Sequence, residues 1–186
     1  MRWIPLVILA WVMILLQTTV VQVLTFQRLA IGTVGPDLLA CFAVFLALYV
    51  PRQIDVLLAA WVLGIMLDLA SAGGPGGASV VGPMAIAYVL AAMVVFSARD
   101  IFFRDRAFTR VVLTLVFCLI AHVFWVTLQS VLAWRREGWD QYGRMLLQAG
   151  ALAAYSAAIS AVLIPLLTRG RRWLIRVRSG REDRRA

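Results

Sequence analysis

AWVLGIMLDLASAGGPGGASVVGP, residues 60–83, begins inside an apolar run, carries one carboxylate at Asp68, and then breaks into a glycine- and proline-rich loop. Ala60, Gly64, Asp68 and Ala72 are each four apart, so on a helix they form one narrow stripe. Small residues at that spacing allow a second helix to come close. Asp68 shares the stripe and is expected to face protein, because an aspartate at mid-membrane costs about 2.5–3.5 kcal/mol on insertion scales. The alternative is a carboxylate close enough to the water interface to stay hydrated. On the first reading, Gly64 admits a neighbouring helix and Asp68 accepts hydrogen bonds from it, or from polar groups such as Gln17 and Gln22.

Composition supports a membrane class for the rest of the chain. Of its 186 residues, 63% are hydrophobic and only 15% charged, with a mean hydropathy of +0.90. Soluble domains place about a quarter of their residues in charged types, so an all-α integral membrane protein is expected. All 18 basic residues are arginines, and the net charge of +9 is concentrated in loops and tail. That pattern suits anionic phospholipids; no nucleic-acid motif accompanies it, and no nucleic-acid partner is expected.

Six apolar runs follow in order: Ile4 to Leu24, Leu38 to Val50, Ile54 to Ala72, Val80 to Ala98, Val111 to Ala133, and Met145 to Leu167. The first lacks a small-residue cleavage site after its core and reads as a retained helix, not a signal peptide. The second, bracketed by Pro36 and Pro51, spans only about 20 Å, short for a hydrocarbon core of about 30 Å. Residues before Pro36 are expected to complete that crossing, or the bilayer to thin there. The organisation is therefore one six-helix transmembrane domain over residues 1–170 and a basic cytoplasmic tail over 171–186. In the tail, Arg171, Arg172, Arg176 and Arg178 are interleaved with Trp173, Leu174 and Ile175, a pattern for lying on the inner leaflet.

With six crossings, the N-terminus, the loops at Arg52 and at Arg99–Arg110, and the tail share one side. The other side holds only Arg28, Arg135, Arg136 and Arg144. The positive-inside rule then puts both termini in the cytoplasm. In that orientation Gln17, Gln22, Gln129 and Gln148 fall in the outer half as a polar layer, with His122 near the middle. Such a layer is either a ligand pocket or interhelical glue, for which bonds averaging about 0.6 kcal/mol suffice.

Catalysis finds little support. There is one histidine and no serine in a nucleophile-elbow setting. Asp68 has no second acid at metal-binding spacing, and the GGPGG loop lacks the Lys-Ser/Thr of a phosphate-binding loop. No catalytic residue, metal or cofactor is expected, and Cys41 and Cys118, placed at different depths, are expected to be buried free thiols. Gly150, Ala154 and Ala158 form a second small-residue stripe on the sixth helix. Together with Ala60, Gly64 and Asp68, they are the candidate partner-binding faces.

Pro36-Asp37-Leu38-Leu39 before an apolar run, Ala60-Trp61-Val62-Leu63-Gly64-Ile65-Met66-Leu67-Asp68, and Gly82 after a turn resemble the MreD family of bacterial rod-shape-determining membrane proteins. The resemblance covers roughly residues 36–88; the family's usual Gly and Phe are replaced by Ala60 and Trp61. It implies a non-enzymatic component of the elongation complex in the bacterial cytoplasmic (inner) membrane. That component associates with the bitopic protein MreC and with other elongation-complex membrane proteins, and helps couple MreB filaments to peptidoglycan synthesis by a SEDS glycosyltransferase and a transpeptidase. The alternative is the substrate-binding membrane subunit of an energy-coupling-factor vitamin transporter, similar in size and helix count. Those subunits carry an Ala-x-x-x-Ala pattern on helix one, where this chain has only Ala10.

Overall fold

The computed structural model describes residues 3–28, 32–71, 82–99, 107–132 and 142–170. Six helices form the fold: α1 (Trp3–Leu24), α2 (Leu38–Tyr49), α3 (Gln53–Ser71), α4 (Pro83–Ala98), α5 (Ala107–Leu132) and α6 (Tyr142–Arg169). Between α1 and α2 lies a short antiparallel hairpin, β1 (Phe26–Arg28) and β2 (Gly32–Val34), in which Phe26 pairs with Val34 and Arg28 with Gly32.

The short second helix is the centre of the bundle. Its sequence, LLACFAVFLALY, has no polar face, and every residue from Leu38 to Leu48 is buried. A helix that is apolar all round lies either within protein or within lipid; α2 lies within protein, touching each of the other five helices. Its 12 residues fall short of the length that crosses a membrane. The residues before Pro36 do not extend the helix either: they turn back as the β1–β2 hairpin, whose second strand packs against α6.

Both ends of this buried helix meet the opposite charge. At its N-terminus, Asp37 is the cap, accepting from the Ala40 N–H at 2.9 Å. At its C-terminus, Arg99 from the end of α4 donates to Ala47 O (3.3 Å), Val50 O (2.7 Å) and Pro51 O (3.5 Å). Its guanidinium carbon lies 3.6 Å from the centroid of Phe96. A carboxylate at the positive end and a guanidinium at the negative end stabilise a helix whose terminal peptide groups are cut off from water.

Apolar side chains also cover the outside. Ile4, Ile8 and Trp11 on α1, Ile86 and Met93 on α4, and Leu147, Val162 and Leu166 on α6 are all exposed. Three helical segments, Gln53–Ala70, Phe108–Leu128 and Tyr142–Arg169, are long and apolar enough to cross a membrane; Ile4–Thr19, Leu38–Tyr49 and Pro83–Ala98 are shorter apolar helices. Some boundaries differ from the sequence expectation. α5 begins at Ala107, taking Phe108 and Arg110 out of the expected loop, and α6 runs on to Arg169. Arginine can enter a terminal helical turn because its long stem reaches back to water. The expected start of the fourth helix at Val80, the end of the third at Ala72, and the tail lie outside the described residues.

Candidate functional site

The Gly64–Asp68 stripe is occupied by the chain itself. α4 opens with Gly82 at φ 125°, followed by Pro83 in the first helical turn. The first suits glycine, and the second removes an N–H that would have no helical partner. The N–H groups on either side of the proline, Gly82 at 2.8 Å and Met84 at 3.1 Å, both donate to one oxygen of Asp68, Oδ2. Asp68 thus caps the helix that follows it, from across the interface, because Gly82 has no side chain to do so.

Gly64, one turn earlier, makes room for this contact. A Cβ there would stand 2.5 Å from Ala85 Cα, 2.8 Å from Met84 O and 2.9 Å from Ala85 N, all backbone atoms that cannot swing aside. Ala60 is buried as well. The expectation that Ala60, Gly64 and Asp68 form a face for another protein is therefore corrected: the close approach is real, but α4 of the same chain makes it. The expected bond from Gln17 to Asp68 is not what that glutamine makes. Its Nε2 donates to Pro36 O (3.1 Å) and its Oε1 accepts from Leu38 N (2.8 Å), so α1 serves the free backbone groups at the start of α2.

The larger polar site centres on Asp37, which is only 2% exposed. Besides capping α2 with Oδ1, it accepts the Tyr88 hydroxyl of α4 on Oδ2 at 2.6 Å. His122 of α5 places Nε2 3.7 Å from the same oxygen, and its Nδ1 lies 2.9 Å from Cys118 O. The Asp37 N–H donates to Ser156 Oγ of α6 at 2.8 Å, and that hydroxyl donates to Leu152 O. Tyr88 is held edge-on against Phe117, with ring centroids 5.1 Å apart. Side chains of α1, α4, α5 and α6 therefore converge on the first turn of α2.

Depth along the helices gathers these groups at one level. At 1.5 Å per residue, Asp37 lies roughly 20 Å from Val50, Asp68 roughly 22 Å from the start of α3, and Ser156 roughly 20 Å from the end of α6. Gln17 joins this level through Pro36 and Leu38, whereas Gln148, about 12 Å further along α6 from Ser156, does not belong to it. The side chains of Gln22 and Gln129, and Arg171, Arg172, Arg176 and Arg178, lie outside the described residues. The two thiols are buried and free, but not at separate depths. Cys41 Sγ reaches Ser156 O at 3.4 Å, and Cys118 lies one turn before His122, its carbonyl 2.9 Å from that ring.

The second small-residue stripe looks outward. Around Gly150 a Cβ would meet nothing within 4 Å, and Ala154 and Ala158 are exposed. Their opposite face, with Ala153, Ser156, Ala157 and Ser160, is the buried one.

Asp37 belongs to the Pro36–Leu39 stretch of the family resemblance, but the candidate site residues read from the sequence do not include it. The signal was present: a Pro-Asp pair directly before an apolar run with no polar face is a cap for a buried helix. Nothing in the sequence pairs it with Tyr88 or His122, which are 51 and 85 residues away. Comparison of the chain with protein-family models, with curated proteins and with solved structures returned no match.

Proposed function

We propose that this chain is a non-enzymatic component of the bacterial cell-elongation complex, crossing the cytoplasmic (inner) membrane six times with both termini inside. On this reading it binds an MreC-like bitopic protein, joins other elongation-complex membrane proteins, and helps couple MreB filaments to peptidoglycan synthesis. The observation that carries the reading is where the MreD-like residues fall. Asp37, Gly64, Asp68 and Gly82, spread over residues 36–88, are the residues that cap and close α2, α3 and α4. A short motif with those structural duties is what a shared fold would retain.

The partner's site moves accordingly. With the Gly64–Asp68 stripe filled from within, the outward Gly150–Ala154–Ala158 face of α6 is the surface left for a single transmembrane helix of the partner. Small residues there let two helix backbones come close, the usual basis of helix association in lipid. Outside the helices, the arginine-rich tail would rest on anionic phospholipids of the inner leaflet, each arginine contributing about 1 kcal/mol near the surface.

Co-expression with a tagged MreC-like protein tests this directly. Wild-type chain should co-purify with it, and Ala154→Leu should abolish recovery while leaving the chain in the membrane. No recovery of the wild type, together with a vitamin detected in the purified protein by mass spectrometry, would replace the proposal with the transporter-subunit reading. Reporters fused after Ala186 and within Arg99–Arg110 should report cytoplasm, and those within Arg135–Arg144 should not.

A further inference from the structure

We propose that Asp37 and His122 form a buried proton-binding site, holding one proton between carboxylate and imidazole. The argument starts from the hydrogen bond at the other side of the ring. Nδ1 of His122 lies 2.9 Å from the carbonyl oxygen of Cys118, and a carbonyl can only accept, so Nδ1 carries a hydrogen. In a neutral ring this leaves Nε2 with a bare lone pair, which faces Asp37 Oδ2 at 3.7 Å. An ionised carboxylate is acceptor-only, so two acceptors would confront each other in the interior. One added proton, on Nε2 or on Oδ2, removes the conflict.

Among the described residues, no other cation stands against that carboxylate. From α2 itself comes the Cys41 thiol, from α4 the Tyr88 hydroxyl, from α5 the Cys118 thiol, and from α6 the Ser156 hydroxyl. From α1 comes the Gln17 amide, already spent on Pro36 and Leu38. Of the two acids of α3, Asp55 lies in its first turn at the far end and Asp68 is turned to Gly82 and Met84; Arg99 caps the opposite end of α2, roughly 20 Å away. Without the proton a full negative charge would stay buried, offset by a helix N-terminus equivalent to about half a unit charge. With it the pair is neutral overall, and α5 is tied to the start of α2.

His122 is the one histidine in the chain, so a nitrogen-15 histidine label reports this site alone. In lipid nanodiscs at neutral pH, the full-length protein should show either both ring nitrogens bearing hydrogen or a protonated Asp37 carboxyl carbon, the latter assigned by comparison with Asp37→Asn. In Asp37→Asn the ring should become neutral, with one hydrogen-free nitrogen; in Tyr88→Phe the wild-type pattern should persist. A neutral ring beside an ionised Asp37 in the wild type would overturn the proposal, as would an imidazolium unchanged by Asp37→Asn. If Asp37→Asn does not accumulate, ring and carboxyl signals in wild type and Tyr88→Phe decide together: an imidazolium, or a neutral ring with a protonated aspartate carboxyl, in both supports the site, and a neutral ring with every aspartate ionised in either overturns it.

Discussion

Asp37 and Asp68 are both buried aspartates that cap the N-terminus of a helix, at about the same level of the bundle, yet they do so in different ways. Asp37 caps its own helix and divides its oxygens, Oδ1 for the Ala40 N–H and Oδ2 for the Tyr88 hydroxyl. Asp68 caps a helix that is not its own and uses a single oxygen for both N–H groups. One is a junction among helices, and the other is a clasp between two. The difference shows that a buried carboxylate's duties follow from how many separate donors reach it, not from its depth or burial.

The largest effect is expected next to the clasp. Gly64→Leu would drive a side chain into the backbone of Met84 and Ala85, and overpacking of this kind costs about 3 kcal/mol or more. The variant should fail to accumulate in the membrane. A folded Gly64→Leu protein would mean that α3 and α4 can separate without loss, and the clasp would then be dispensable.

Asparagine substitution separates the two aspartates more finely. An amide keeps one acceptor oxygen and replaces the other with an NH2 donor. At position 68 one oxygen is all that the cap needs, so Asp68→Asn should lower stability by less than about 1 kcal/mol, whereas Asp68→Ala should cost about 2 kcal/mol by leaving two N–H groups without an acceptor. At position 37 both oxygens accept, so Asp37→Asn should cost about 2 kcal/mol and be rescued poorly relative to Asp37→Ala. Thermal unfolding of the detergent-solubilised variants checks the order; equal effects of asparagine at the two sites would break the distinction.

Smaller again is the outer part of the junction. Ser156→Ala removes the acceptor of the Asp37 N–H and should cost about 1 kcal/mol in the same measurement. The smallest stability effect belongs to Gly150→Ala, since a Cβ there meets nothing within 4 Å. Replacing glycine by alanine in a helix should stabilise by up to about 1 kcal/mol. Loss of stability instead would show that the α6 face is packed within the chain, like the Gly64 face.

Most of the helices could be read from the sequence, because all but α1 are runs of apolar residues ended by glycine, proline or arginine. Pro36 and Pro51 bound α2 within one or two residues, since a proline cannot donate and disfavours helix in the residue before it. The β1–β2 hairpin could not be read in this way: Phe26–Arg28 and Gly32–Val34 are three residues each, too short for a period-2 pattern to register.

The sequence by itself determined the apolar composition, the six helical runs, the close approach at Gly64, and the need for Asp68 to face protein. These are local consequences of spacing and of the cost of an unpaired charge. Only the tertiary structure decided which surface meets Gly64 and what the carboxylates bind. Four-residue spacing says that a helix can come near, but α4 and a partner's helix would read alike along the chain. The convergence of Tyr88, His122 and Ser156 on Asp37, and of Gln17 on the residues either side of it, was likewise settled by tertiary packing. A central helix buried on all sides brings side chains of four others to its capped end, and no pattern along one chain segment encodes which side chains will meet there.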